Sequence, residues 1–113
     1  MPFNPKWGKT ARRSKHKRLA DVYDAAADVI VERGHAINYL EDSLGRVCLW
    51  GAISQVVDGN PLAGSNKSRN MLMRLIRFTR GVDPVEWNNK EWRTQKQVVN
   101  MLRHAAKSMR LSA

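Results

Sequence analysis

Residues 47–57 read VCLWGAISQVV, an almost wholly apolar run that ends at the turn signal Asp58-Gly59-Asn60-Pro61. A helix that is hydrophobic nearly all round belongs in the middle of a core, so this segment is expected to be the central element of the fold. Gly51 sits inside it at a cost of about 1 kcal/mol relative to alanine. A cost of that kind predicts that a neighbouring helix approaches closely at this position.

Elements that can wrap the central run lie on both sides of it. Upstream, Leu19, Val22, Tyr23, Ala26, Val29 and Ile30 recur at spacings of three and four, which predicts a helix from about Lys15–Leu19 to Arg33, stopped by Gly34. Asp24, Asp28 and Glu32 follow at i+4 steps on another face, and Lys17 and Arg18 lie within reach of Asp21 for weak ion pairs. Downstream, a third helix opens at Ser65 or Asn66 and closes before Gly81. Asp83-Pro84-Val85-Glu86 places an acid at the cap, proline at the first helical position and glutamate three residues after the cap, and so predicts a short helical turn carrying Trp87. Thr94 and Gln97 form a second capping box, opening a last helix to about Met109 that buries Val98, Leu102, Ala105, Ala106 and Met109. Residues 35–46, HAINYLEDSLGR, have no helical stripe; their turn signal fits a loop or one small β-hairpin at 36–47.

The expected architecture is all-α: a small four-helix domain over residues 17–113 with a short capping turn, preceded by a basic, mobile arm at residues 1–16. At 113 residues and 42% hydrophobic, the chain has enough apolar material for one core and not for two. One cysteine leaves no disulfide framework or multi-cysteine zinc site, which suits a reducing cytoplasm. Apolar runs fall short of the roughly 18 residues of a membrane span, and the N-terminus lacks the apolar stretch of a signal peptide. No membrane partner is expected.

Charge is the largest departure from an average protein. The net value of +10 favours anionic partners, and its distribution is uneven. Residues 1–18 hold seven Lys/Arg and no acid; 19–64 hold two against seven acids; 65–113 hold eleven against three. Within SNKSRNMLMRLIRFTRG, residues 65–81, a helical wheel puts Lys67, Arg69, Arg74, Arg77 and Arg80 on one half and Met71, Leu72, Leu75, Phe78 and Thr79 on the other. A solvated helix face is the ordinary explanation of such a stripe, but ordinary faces mix signs, and here no acid is present. Lys96, Arg103, Lys107 and Arg110 make a second stripe on the last helix. Together with Arg12, Arg13, Lys15, Lys17 and Arg18 of the arm, these are the candidate nucleic-acid-binding residues. Neutralising five phosphates implies a log–log salt slope near −4.5, or roughly 500-fold weaker binding at 200 mM than at 50 mM salt. Asn66, Asn70, Gln95 and Asn100 offer amides for base edges, but no helix-turn-helix pattern nominates a recognition helix, so weak sequence preference is expected.

Other candidates have stronger structural explanations. Trp87 and Trp92 flank NNKE and offer rings for base stacking, yet tryptophans beside a helix start ordinarily cap a core. Trp7, among Lys6 and Lys9, is the better stacking candidate, because nothing nearby can bury it. Cys48 with His35 or His104 spells a nucleophile and base, but a thiol in an apolar run packs as a small hydrophobe. His16, His35 and His104 lack metal-ligand spacing, and GNPLAGSNKS lacks the Walker spacing of a phosphate loop. No catalytic residue, metal or cofactor is expected.

Glu32-Arg33-Gly34, Gly45-Arg46-Val47-Cys48-Leu49-Trp50-Gly51-Ala52, Trp87-Asn88-Asn89 and Arg93-Thr94 before the last helix together resemble a small uncharacterised helical domain family of bacteria and bacteriophages. The family's motifs are an ERG-type helix end, a GRxCLxGA-type helix start and a WN(D/N) turn before RT. The resemblance spans about residues 19–107, implies no assigned activity, and departs from the family in the long cationic N-terminus and in Asn89 where an acid is common. The expected function is a non-catalytic, phage-type basic accessory protein in the cytoplasm, with nucleic acid, DNA or RNA, as its partner. The alternative is an interaction effector that docks on an acidic host protein. The oligomeric state is left open.

Overall fold

The computed structural model describes the backbone of residues 5–112 and the side chains of residues 15–112. It is mostly helical: α1 (Pro5–Arg33), α2 (Leu49–Asp58), α3 (Asn66–Met73), a 3-10 turn (Arg74–Phe78), α4 (Pro84–Asn88) and α5 (Gln95–Leu111). The long α1 packs chiefly against α5 and then α2, and α3 covers α2. α2 therefore contributes Leu49, Ala52 and Ile53, all fully buried, to the core, as its apolar run predicts.

α1 starts at Pro5, well before the expected Lys15–Leu19. Proline is pre-organised for the first helical position, and the lysines and arginines that follow are good helix formers. Its buried stripe is Leu19, Ala20, Tyr23, Ala26, Ala27 and Ile30, while Val22 and Val29 are only half-buried. Ala20, Ala26 and Ala27 of α1 and the buried Ala105 and Ala106 of α5 share one core, where small side chains let the two long helices come close.

Both capping arrangements form as the sequence predicts. Asp83 accepts from the Val85 and Glu86 amides at 2.8 and 3.3 Å with Pro84 at the start of α4. Thr94 and Gln97 close the capping box of α5 at 3.2 and 3.0 Å. α2 has an unexpected cap: Cys48 Sγ accepts from the Gly51 amide at 3.3 Å.

Three further expectations are corrected. The hairpin at 36–47 does not form; the described residues contain no strand, only isolated bridges from Val47 to His35 and to Glu41. Val47 is held between two turns of one loop, its carbonyl accepting from Ala36 and its amide donating to Gly34. Asp42 Oδ1 meanwhile takes the Leu44 and Arg46 amides at 3.0 and 2.9 Å, so a side chain replaces the ladder a second strand would have supplied. The third helix does not run unbroken to Arg80: it tightens to a 3-10 turn at Arg74, and Arg80 adopts a positive φ of 55°. Beyond Met73 the 100° wheel no longer fixes which face a side chain takes. At Gly51 the close neighbour is loop backbone and not a helix, since a Cβ there would lie 1.9 Å from the Leu40 carbonyl oxygen.

Candidate nucleic-acid interface

Serine and aspartate chemistry fixes the turn between α2 and α3, and that turn sets where α3 begins. Asp58 accepts from Ser65 Oγ at 2.7 Å, and Ser54 Oγ donates to the Asn60 carbonyl at 2.7 Å and accepts from the Gly64 amide at 2.9 Å. The hydrogen bond from Ser65 first, and then those from the Ser65 amide and Ser54, outweigh burial and hold the Asp58 carboxyl below its ordinary range. Ser65 in turn caps α3 by accepting from the Ser68 amide at 3.1 Å. GNPLAGSNKS is thus a stapled connection that aims α3.

α3 is tied to α1 by the buried Tyr23, whose hydroxyl donates to the Met71 carbonyl at 2.7 Å. Burial raises the Tyr23 hydroxyl far above its usual range, against the opposing field of nearby Arg74, so it remains a neutral donor. This fastening brings cations from two distant parts of the sequence together. Lys15 and Arg18 of α1 and Lys67 and Arg74 from α3 and its end line one groove of about 590 Å3, with Asn70 on its wall and Leu19 and Met71 beneath. A second hollow of about 330 Å3 shares Arg18, Lys67 and Met71 and continues over Asp21, Val22, Val56 and Val57, Asp21 being paired with Arg110. Among the described residues, none of the four cations has a carboxylate within ion-pair distance.

The second predicted stripe behaves differently. Arg103 bridges Asp24 and Asp28 at 3.2 and 2.5 Å, and Arg110 bridges Asp24 and Asp21 at 2.5 and 3.0 Å. The acidic face of α1 therefore neutralises α5, and among the described residues the pairs expected between Asp21 and Lys17 or Arg18 do not form, Asp21 pairing with Arg110 instead. Burial disfavours the Asp24 carboxylate, but hydrogen bonds and charge from Arg110 and Arg103 prevail and hold its pKa below the ordinary value. Arg103 and Arg110 are accordingly clasps between α1 and α5; Lys96 and Lys107 stay exposed on that helix. Arg69, Arg77 and Arg80 are exposed outside the groove, Arg77 lying 5.7 Å from the Phe78 ring. Lys17 is exposed as well, and the side chains of Arg12, Arg13 and Trp7 lie outside the described residues.

Cys48, His104 and His35 take structural positions. Cys48 is buried at the start of α2, its thiol pushed up by burial and only partly pulled back by amide hydrogen bonds. His104 packs edge-on against Phe78 at 5.8 Å, and His35 pairs with Asn88 at 2.8 Å, so neither bonds to the Cys48 sulfur. Among the described residues, no group of three His, Cys, Asp or Glu is placed to hold a metal ion, and no helix is long and apolar enough to cross a membrane. Sequence reasoning missed the centre of another network: Asn88, fully buried, accepts from Leu49 N–H and donates to the Ala36 carbonyl. Its only sequence signal is its place inside the WNN triplet.

No curated protein and no solved structure matches the chain. Residues 14–108, covering every element from the basic half of α1 to the end of α5 but for its last turn, match a family described as a family of unknown function. The chain belongs to that family, DUF6197.

Proposed function

We propose that this protein is a non-catalytic, phage-type accessory protein that binds nucleic acid through the groove between α1 and α3, with little sequence preference. One observation carries the reading: Lys15, Arg18, Lys67 and Arg74 converge from two helices on one groove without a carboxylate among its lining residues. Four cations held close together repel one another, and a polyanion relieves that repulsion by replacing its condensed counterions. The apolar floor of Leu19 and Met71 and the single amide of Asn70 offer a surface for a sugar-phosphate backbone rather than a set of base-edge readers.

The test is fluorescence anisotropy with random-sequence DNA over a salt series. Four phosphate contacts predict a log–log slope of about −3.6, a loss of about 150-fold between 50 and 200 mM salt. Lys67→Glu combined with Arg74→Glu should abolish binding while leaving the thermal melt intact, since both side chains are exposed. Absent or salt-insensitive binding by the wild type overturns the reading and moves the groove to an acidic protein partner.

A further inference from the structure

Arg93 lies between two tryptophans. Its guanidinium carbon is 3.7 Å from the Trp87 ring centroid and 4.4 Å from that of Trp92, and its Nε donates to the Trp87 carbonyl at 2.8 Å. Trp87 is half-buried and packs against the core, so the staple is anchored on that side. Trp92 is not: it is 64% exposed, an unusual position for so large an apolar side chain. Around it lies a hollow of about 500 Å3 whose rim carries Arg80, Lys90 and Arg93 and no carboxylate, with Phe78 and Trp87 as its other rings.

An indole fixed on one side by a guanidinium and open on the other is a stacking platform, and cations around it supply the counter-charge for a phosphate. The hollow and the α1/α3 groove are joined by one continuous stretch of chain: Lys67 and Arg74 line the groove, and Phe78 to Arg80 line the hollow. At ~1.5 Å per residue in α3 and ~2 Å in the 3-10 turn, that stretch runs on the order of 20 Å, with Arg77 along the way. We propose that Trp92 stacks an unpaired base of a single-stranded nucleic acid whose backbone continues past Arg80 into the groove. Inside a duplex each base face is covered by its neighbours, so the site favours single strands.

This inference rests on the proposed nucleic-acid function, and the experiment separates the two. A labelled oligothymidylate and an abasic oligomer of equal length are titrated into the full chain at fixed salt. Wild type should bind the thymidylate about fivefold or more tighter, as one stacked base contributes about 1–3 kcal/mol. Trp92→Ala should erase that difference while keeping the salt slope, and Trp92→Phe, which retains a flat ring, should keep most of it. A melting curve checks that each variant is folded. Equal binding of the two oligomers by wild type, or a preference that survives Trp92→Ala, overturns the stacking site and leaves the groove reading in place. Failure to bind either oligomer overturns the stacking site, and the groove reading falls with it if random-sequence DNA also fails to bind.

Discussion

The carboxamide of Asn88 closes the start of α2 from 39 residues away, its Oδ1 accepting the Leu49 amide at 3.1 Å. The same oxygen lies 2.8 Å from His35 Nε2, and Nδ2 donates to the Ala36 carbonyl at 3.2 Å and to Asn89 Oδ1 at 2.9 Å. Asn89 Oδ1 also takes the amide of Asn38, a residue with a φ of 71°. One side chain thus joins α4, α2 and the 34–48 loop. Asn88→Ala should lower stability by more than about 2 kcal/mol in urea unfolding, because it leaves several buried backbone and side-chain groups without partners at about 1–3 kcal/mol each. Asn88→Asp keeps the acceptor but loses the donor to Ala36, and should rescue only part of the loss.

His35 predicts a pH dependence. Because Asn88 Oδ1 can only accept, the proton of neutral His35 resides on Nε2. Burial first, with help from the charges of Arg93 and Arg46, lowers the His35 pKa below its ordinary 6.5 against the opposing hydrogen bond to Asn88. The folded state therefore binds the proton less readily than the unfolded chain. The contribution of neutral His35 is complete above pH 6.5 and is lost as pH falls from there through the lower folded-state value. Denaturant midpoints measured across that interval should fall with decreasing pH in wild type and less so in His35→Gln.

The two classes of arginine should separate by function. Arg103 and Arg110 have side chains 42% and 44% exposed, and solvent and salt screen ion pairs so exposed. Arg103→Ala or Arg110→Ala should therefore lower the thermal midpoint only slightly and leave the salt slope of DNA binding unchanged. Lys67→Ala or Arg74→Ala should leave stability alone and reduce the slope by about 0.9 each. A slope that falls equally for both sets would mean that the groove is not where phosphate is held.

Gly51 reverses an ordinary expectation. Glycine to alanine in a helix interior stabilises by about 1 kcal/mol where nothing obstructs the new methyl group. Here the methyl would meet the Leu40 carbonyl oxygen, fixed backbone at 1.9 Å, so α2 and the loop must part. Gly51→Ala should lower the melting temperature markedly, and an unchanged or raised value would show that the contact is absent in solution.

Elements whose causes are local could be read directly from the residues. The apolar run at Val47–Val57, the Asp83-Pro84 cap and the Thr94–Gln97 box place α2, α4 and α5 because helix period and capping act within a few residues. Which charges remain available depends instead on how the helices pack. Arg103 and Lys67 look alike on a helical wheel, yet Arg103 meets Asp24 and Asp28 from 79 and 75 residues away, while Lys67 meets Arg18 across an open groove. The break at Met73, the Asn88 network and the exposed Trp92 share that origin: each follows from how α1, α3, α4 and the 34–48 loop pack in space, and no local period encodes the distance between residues so far apart in the chain.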